Sequence, residues 1–214
     1  MNVAIIGAGN VGSTLGTAWA KKGHKVVYGV RNPAEDKVQA AVKASGGKAS
    51  AATIAQAAAQ APIVLFATPW SAAKDAISAA GNLAGKIVVD AMNPLAHSPD
   101  WLEKGLVVGH ETSAGEQVAQ WAKGARVVKA FNTIGAPNMA NPIFRGQPAT
   151  MFICGDDSAA KAEVKKLSDD LGFETTDMGP LKIARLLEPL ALLWIHSAIA
   201  LKWGPDFGFK IIRR

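Results

Sequence analysis

The chain has 214 residues, 49% of them hydrophobic, and a net charge of +6. That apolar content supports a sizeable core and excludes a disordered chain. The basic excess is modest and spread along the chain, with no Lys/Arg cluster beside stacking aromatics, which argues against nucleic acid and leaves anionic small molecules as partners.

The first predicted strand is Val3-Ala4-Ile5-Ile6, and it runs directly into Gly7-Ala8-Gly9-Asn10-Val11-Gly12. This fits G-x-G-x-x-G between a strand and a helix, the pattern of a dinucleotide-binding turn. Gly7 permits the tight exit, Gly9 lets a pyrophosphate approach the backbone, and Gly12 lets the helix pack close to the strand. The helix N-terminus then offers free N–H groups to the phosphates. Val11, Leu15, Ala18 and Trp19 give that helix one apolar face over Asn10 to Lys22, and Gly23 ends it. Because the chain is in its first strand by Val3, no signal peptide is expected and the protein is read as cytoplasmic.

The second strand is predicted over Lys25 to Gly29. An acid that would bind a ribose 2′-hydroxyl belongs about 20 residues after the glycine motif. None stands there. Arg31 does, followed by Asn32, and a guanidinium suits the 2′-phosphate of NADP(H). Pro33 fits the first position of a helix over Ala34 to Ala44. A brief strand is expected near Lys48-Ala49, then a helix across the alanine-rich stretch Ala51 to Gln60.

Pro62 to Ala67 is a continuous apolar run, the mark of a strand buried on both faces. It ends at Thr68-Pro69-Trp70, before a helix over Ser71 to Ala80. Lys86 to Val89 is the next strand, ending at Asp90 and a loop with Asn93 and Pro94. Ser113-Ala114-Gly115-Glu116 reads as a capping box opening a helix to Ala122. Arg126 to Phe131 is another strand, leading into Asn132-Thr133. Met151 to Cys154 is a further strand, and Cys154, the only cysteine, is expected to be buried and inert. Ser158 is placed as the cap of a helix to Leu171, Glu174 to Asp177 as a short strand, and the last helix from about Pro180 to Leu201, with Pro189 inside it. Glu188, Pro189 and His196 break that apolar stretch, so it is not read as a membrane span.

Strands alternating with helices predict an α/β, Rossmann-like, doubly wound and mostly parallel sheet with a C-terminal strand–helix extension. One domain is expected over 1–214, with a dinucleotide-binding core over 1–145 and a small extension over 146–214. The loops after the parallel strands should converge on one cleft. They carry Thr68, Trp70, Asn93, Asn132 and Thr133, which orient a ligand but do not titrate usefully. Lys129 is a candidate general acid, with a structural or solvated lysine as the simpler reading. His110 is the best placed of four histidines, His196 reads as a core or interface residue, and His24 and His97 as surface residues. Asp156-Asp157 and Asp169-Asp170 have no histidines at metal-ligand spacing and read as caps or solvated acids, so no metal site is expected. An NADP site with few titratable groups suits direct hydride transfer between two redox cofactors.

Several motifs together carry a family resemblance: the glycine turn, Arg31, Pro69-Trp70, Ser113-Ala114-Gly115-Glu116 and Cys154-Gly155-Asp156-Asp157. Asp177-Met178-Gly179-Pro180-Leu181 and Arg185-Leu186-Leu187-Glu188-Pro189-Leu190 complete the set. The sequence resembles the NADP oxidoreductases dependent on the deazaflavin coenzyme F-420, which are related to the NADPH-binding domain of the STEAP metalloreductases. The resemblance implies hydride transfer between NADP(H) and a deazaflavin or flavin ring, and a homodimer. It places the 2′-phosphate at Arg31, the pyrophosphate at Gly7–Gly12 and the nicotinamide at Thr68–Trp70. The loops around Asn93 and Asn132 look closer to the flavin-using relatives, which leaves F-420, FMN and FAD open as the second cofactor. A non-catalytic NADPH-binding sensor or partner subunit is the alternative. A hydroxyacid or imine dehydrogenase is disfavoured, because the chain after Gly179 is too short for a helical substrate domain.

Overall fold

Strand β1 (Asn2–Ile6) lies near the middle of the sheet and is buried on both faces. Val3 and Ile5 face one core cluster, and Ala4 and Ile6 the other. This is why the run reads as continuous rather than alternating. The computed structural model describes all residues, Met1–Arg214.

The chain continues through α1 (Asn10–Lys21), β2 (Lys25–Val30), α2 (Asp36–Ala44), β3 (Ala49–Thr53), α3 (Ile54–Gln60) and β4 (Ile63–Phe66). Next come α4 (Ala73–Ala79), β5 (Ile87–Asp90), a short α5 (Trp101–Lys104), α6 (Ala114–Trp121) and β6 (Arg126–Lys129). A two-residue-strand hairpin, β7 (Ile143–Phe144) and β8 (Gln147–Pro148), precedes β9 (Thr150–Gly155), α7 (Ser158–Asp169), β10 (Glu174–Asp177) and α8 (Ala184–Ile199).

Eight strands form one sheet in the order β10-β9-β6-β5-β4-β1-β2-β3. Every pairing is parallel except β6 with β9, where Lys129 pairs with Cys154. The Rossmann-like, mostly parallel reading therefore holds, and the last two strands run against the rest. Trp19 anchors one face: its Nε1 donates to the Leu167 carbonyl at 2.8 Å, and its ring meets Phe131 edge-on at 5.5 Å.

Several expected boundaries move, each for a local reason. Ala49 to Thr53 is a full strand, in register with Val26 to Val30 of β2. Sheet pairing overrides the helix propensity of alanine there. The following helix is capped by Thr53, whose Oγ1 accepts from Gln56 N while the Thr53 N–H donates to Gln56 Oε1, a complete capping box. Pro33 lies ahead of α2, because Asn32 Oδ1 accepts from Ala34 N and closes a turn first. Asp157, not Ser158, caps α7 by accepting from Ala160 N. The last helix is α-helical only from Ala184, after a 3-10 turn over Leu181–Ile183. No helix is long and apolar enough to cross a membrane.

Candidate functional site

The sheet order reverses between β1 and β4, which is where open α/β sheets bind ligands. At this point stands the glycine turn. Gly7 takes φ +102°, a region that favours glycine, and a Cβ on it would sit 2.8 Å from the Ala67 carbonyl oxygen. A Cβ on Gly12 would overlap the Gly7 carbonyl oxygen. Those two glycines are required by the protein's own packing. Gly9 is not: a Cβ there would meet nothing within 4 Å, and its φ of −77° suits any residue. Its bareness leaves an exposed cradle at the head of α1. Gly9 is also the cap residue of α1, with no side chain bonded to the free N–H groups and no acid in the first turn. The turn thus fits a dinucleotide pyrophosphate, which would fill the cradle and take those donors.

Beside the turn lies a cleft of about 380 Å³. Its walls are Gly9–Val11, the β4 loop Ala67–Ser71 and parts of the β5 loop from Ala91 to His97. Trp70 stacks on Trp121 of α6 with centroids 5.2 Å apart, which fixes the indole at the rim. Thr68 Oγ1 donates to Met92 Sδ at 3.3 Å, joining the two loops. A larger open groove of about 880 Å³ shares Gly9 and Asn10 and continues between α1 and α2, with Lys21, Lys22 and Lys37 on it.

The structure brings Ala8, Gly9, Asn10, Val11, Thr68, Pro69, Trp70 and Asn93 to these two openings. Arg31 and Asn32 are exposed just past β2 but line neither cavity. Arg31 has no hydrogen-bond or ion-pair partner within the chain, so its guanidinium is available to an outside anion. The expected even spread of charge does not hold: residues 21–48 carry seven Lys/Arg against two Asp/Glu, nearly the whole net charge of the chain. Pro94, Asn132 and Thr133 are buried and form no part of its wall. Asn132 supports Asn93 instead. Its Nδ2 donates to Asn93 Oδ1 at 3.1 Å, and Asn93 Nδ2 donates to the Asn132 carbonyl at 3.0 Å.

Lys129 is neither in the cleft nor solvated. It is fully buried, with Nζ 2.8 Å from Asp90 Oδ2, 2.9 Å from Glu188 Oε1 and 2.6 Å from the Met92 carbonyl. Burial would lower its pKa, but the two carboxylates outweigh it and hold the lysine above its ordinary value. Ser113 caps α6 as expected, yet the box is only half formed. Glu116 accepts from Ser113 Oγ at 2.8 Å and forms a bidentate pair with Arg185 at 2.7 and 2.8 Å, with no bond to the Ser113 N–H, and the Ala114 and Gly115 N–H groups donate to Glu188. Cys154 is buried, and burial pushes its thiol up to about 12.

The histidines exchange places. His110 is exposed and outside the cleft, His196 is exposed on α8, and His24 is buried against Asp170 at 3.0 Å. His97, read as a surface residue, lines the cleft. It is brought there by the Leu95–Leu106 bridge, which folds the β5 loop back over the opening. No periodicity marks such a loop.

The sheet order, the reversal point and the glycine cradle define a Rossmann-like fold with a turn suited to a dinucleotide. The model for the family "NADP oxidoreductase coenzyme F420-dependent" matches residues 2–94. The crystal structure of a candidate F420-dependent NADP reductase from Arthrobacter sp. FB24 superposes with a TM-score of 0.89 at 36% identity, covering 99% of both chains. The F420-dependent NADP reductase of Methanocaldococcus jannaschii is 27% identical, with 94% of each chain covered. Metalloreductase STEAP3 of Rattus norvegicus is 34% identical over 91% of this chain, which spans only 37% of that relative's length. The chain belongs to the F420-dependent NADP oxidoreductase family, whose members are NADP-dependent oxidoreductases.

Proposed function

We propose that this protein transfers a hydride between NADP(H) and a deazaflavin or flavin ring, F-420, FMN or FAD. The observation that carries this reading is the makeup of the cleft. Of the fourteen residues that line it, His97 alone titrates. A carbonyl or imine reduction needs a placed proton donor, whereas a ring-to-ring hydride transfer needs chiefly alignment and a dry contact.

NADPH, when bound, supplies two electrons and one proton as a hydride from its nicotinamide ring. The chain does the rest by holding. The Gly7–Gly12 turn and the α1 N-terminus take the pyrophosphate, and Arg31 with Asn32 takes the 2′-phosphate. Thr68, Pro69, Trp70 and Asn93 form the wall against which the nicotinamide lies, supported from behind by Pro94, Asn132 and Thr133. His97 sits at the open end, where an acceptor ring enters. The residual proton is exchanged with solvent there. The protein acts as a homodimer, as the family resemblance implies.

The test is NADPH oxidation with F-420, FMN, FAD and simple carbonyls under matched conditions, beside a direct NADPH titration. Turnover with a deazaflavin or flavin and none with carbonyls is expected. Tight NADPH binding with no turnover of any acceptor would overturn the reading in favour of an NADPH sensor.

A further inference from the structure

Lys129, Asp90 and Glu188 lie directly behind the cleft and touch no open space. Their polar atoms are used completely. The three N–H groups of Lys129 have three acceptors: Asp90 Oδ2, Glu188 Oε1 and the Met92 carbonyl. Asp90 Oδ1 accepts from Met92 N at 3.0 Å. Glu188 accepts from Ala114 N at 2.9 Å and Gly115 N at 3.1 Å, so it also caps α6. Buried ion clusters of this kind seldom stabilise more than apolar side chains of the same volume would. Stability alone is therefore a poor account of this one.

What apolar side chains could not do is grip the backbone. The cluster holds Met92 by both its N–H and its carbonyl, which fixes the peptide leading to Asn93. Asn93 is in the cleft wall. A second route reaches the same residue from the same helix: Asn132 Nδ2 donates both to Asn93 Oδ1 and to the carbonyl of Leu187, next to Glu188. Asn93 is thus tied to α8 twice, through Asn132 and through Lys129.

We propose that Lys129, Asp90 and Glu188 are positioning residues, a buried ionic clamp that holds Met92–Asn93 in the orientation the cleft needs for hydride transfer. The inference rests on the functional reading above. It assigns a task to the C-terminal helix: α8 sets the wall against which the nicotinamide lies, without touching it.

The experiment compares wild type with Glu188→Gln, Asn93→Ala and the double variant. It reads NADPH affinity by titration, kcat with the acceptor, and hydrogen exchange at the Met92 amide. Glu188→Gln is expected to lower kcat roughly 10- to 100-fold by loosening alignment, while the NADPH dissociation constant stays within about twofold. The double variant is expected to be no slower than Asn93→Ala alone, because both act through one residue. Exchange at Met92 should rise about tenfold, with amides of β1 and β4 unchanged. Additive losses in kcat, or an unchanged Met92 amide, would overturn the proposal. The exchange measurement needs no acceptor, so it decides the clamp even if no acceptor is turned over. Should Glu188→Gln not fold, Asp90→Asn is measured the same way; failure of both to fold would mark the cluster as purely structural and sink the idea.

Discussion

The glycine turn and the ionic cluster flank the same cleft and are built on opposite plans. At the turn, polar groups are left free: the α1 N–H groups have no side-chain cap and Arg31 has no partner. Behind Met92, every N–H of Lys129 and every carboxylate oxygen of Asp90 and Glu188 is engaged. A surface that recognises phosphate has to keep its donors unspent until the ligand arrives. A wall that aligns a reacting ring has to be settled beforehand. Substitutions on the two sides should therefore fail differently, in binding on one and in folding or alignment on the other.

The largest effects fall on the engaged side. Lys129→Met leaves two carboxylates buried without their cation, and a loss of about 3–5 kcal/mol in unfolding free energy is expected by denaturant titration. A variant within about 1 kcal/mol of wild type would break the comparison. Next comes Arg31→Ala. The preference for NADPH over NADH should fall by roughly 10- to 100-fold, the worth of about 1.5–3 kcal/mol from charged hydrogen bonds, with no change in Tm. An unchanged ratio would remove Arg31 from the 2′-phosphate site.

Gly9→Ala sharpens the contrast within the turn itself. Since a methyl there meets no protein atom, stability should stay within about 0.5 kcal/mol of wild type, while NADPH binding weakens by about tenfold. Tight NADPH binding by that variant would mean the phosphates do not approach Gly9. The smallest effect is expected at Glu116. Its hydrogen bonds from Arg185 hold the carboxyl below its ordinary 4.5, and burial opposes them. Because the folded value is the lower one, the pair stabilises above 4.5, and that contribution is lost as pH falls through the depressed value. Glu116→Gln should cost roughly 1 kcal/mol or less at pH 7 and flatten the acid limb of the stability profile below 4.5. An acid limb identical to wild type would show that the pair contributes nothing.

How far the site could be read beforehand follows the same division. The glycine turn was legible because its requirements are local: a positive φ at Gly7, closeness at Gly12 and a bare Cα at Gly9 all fall within six residues. Arg31 is placed by counting from that turn, and its exposure leaves the assignment to the NADPH/NADH ratio. The cluster was not legible, since Lys129 and Asp90 are 39 positions apart and Ala114 and Glu188 are 74 apart. Neither periodicity nor motif spacing reports such a contact. The half-formed box at Ser113 has the same cause: Glu116 keeps the Ser113 hydroxyl but gives the rest of its carboxylate to Arg185, 69 positions away, rather than to the Ser113 N–H. In the alanine stretch, propensity favoured a helix where pairing with β2 demanded a strand. His97 was missed because its position depends on a loop folding back, and composition is silent about that.

The completeness of the Lys129 cluster has a consequence for lineage. A change that removes Lys129 leaves Asp90 and Glu188 buried without a cation, whereas a change at either acid leaves the lysine paired with the other. Relatives that have lost Lys129 should therefore have lost both acids as well, with an uncharged side chain of similar volume in each place. Along any such lineage an acid should go first and the lysine last, however far apart the positions stand in the gene.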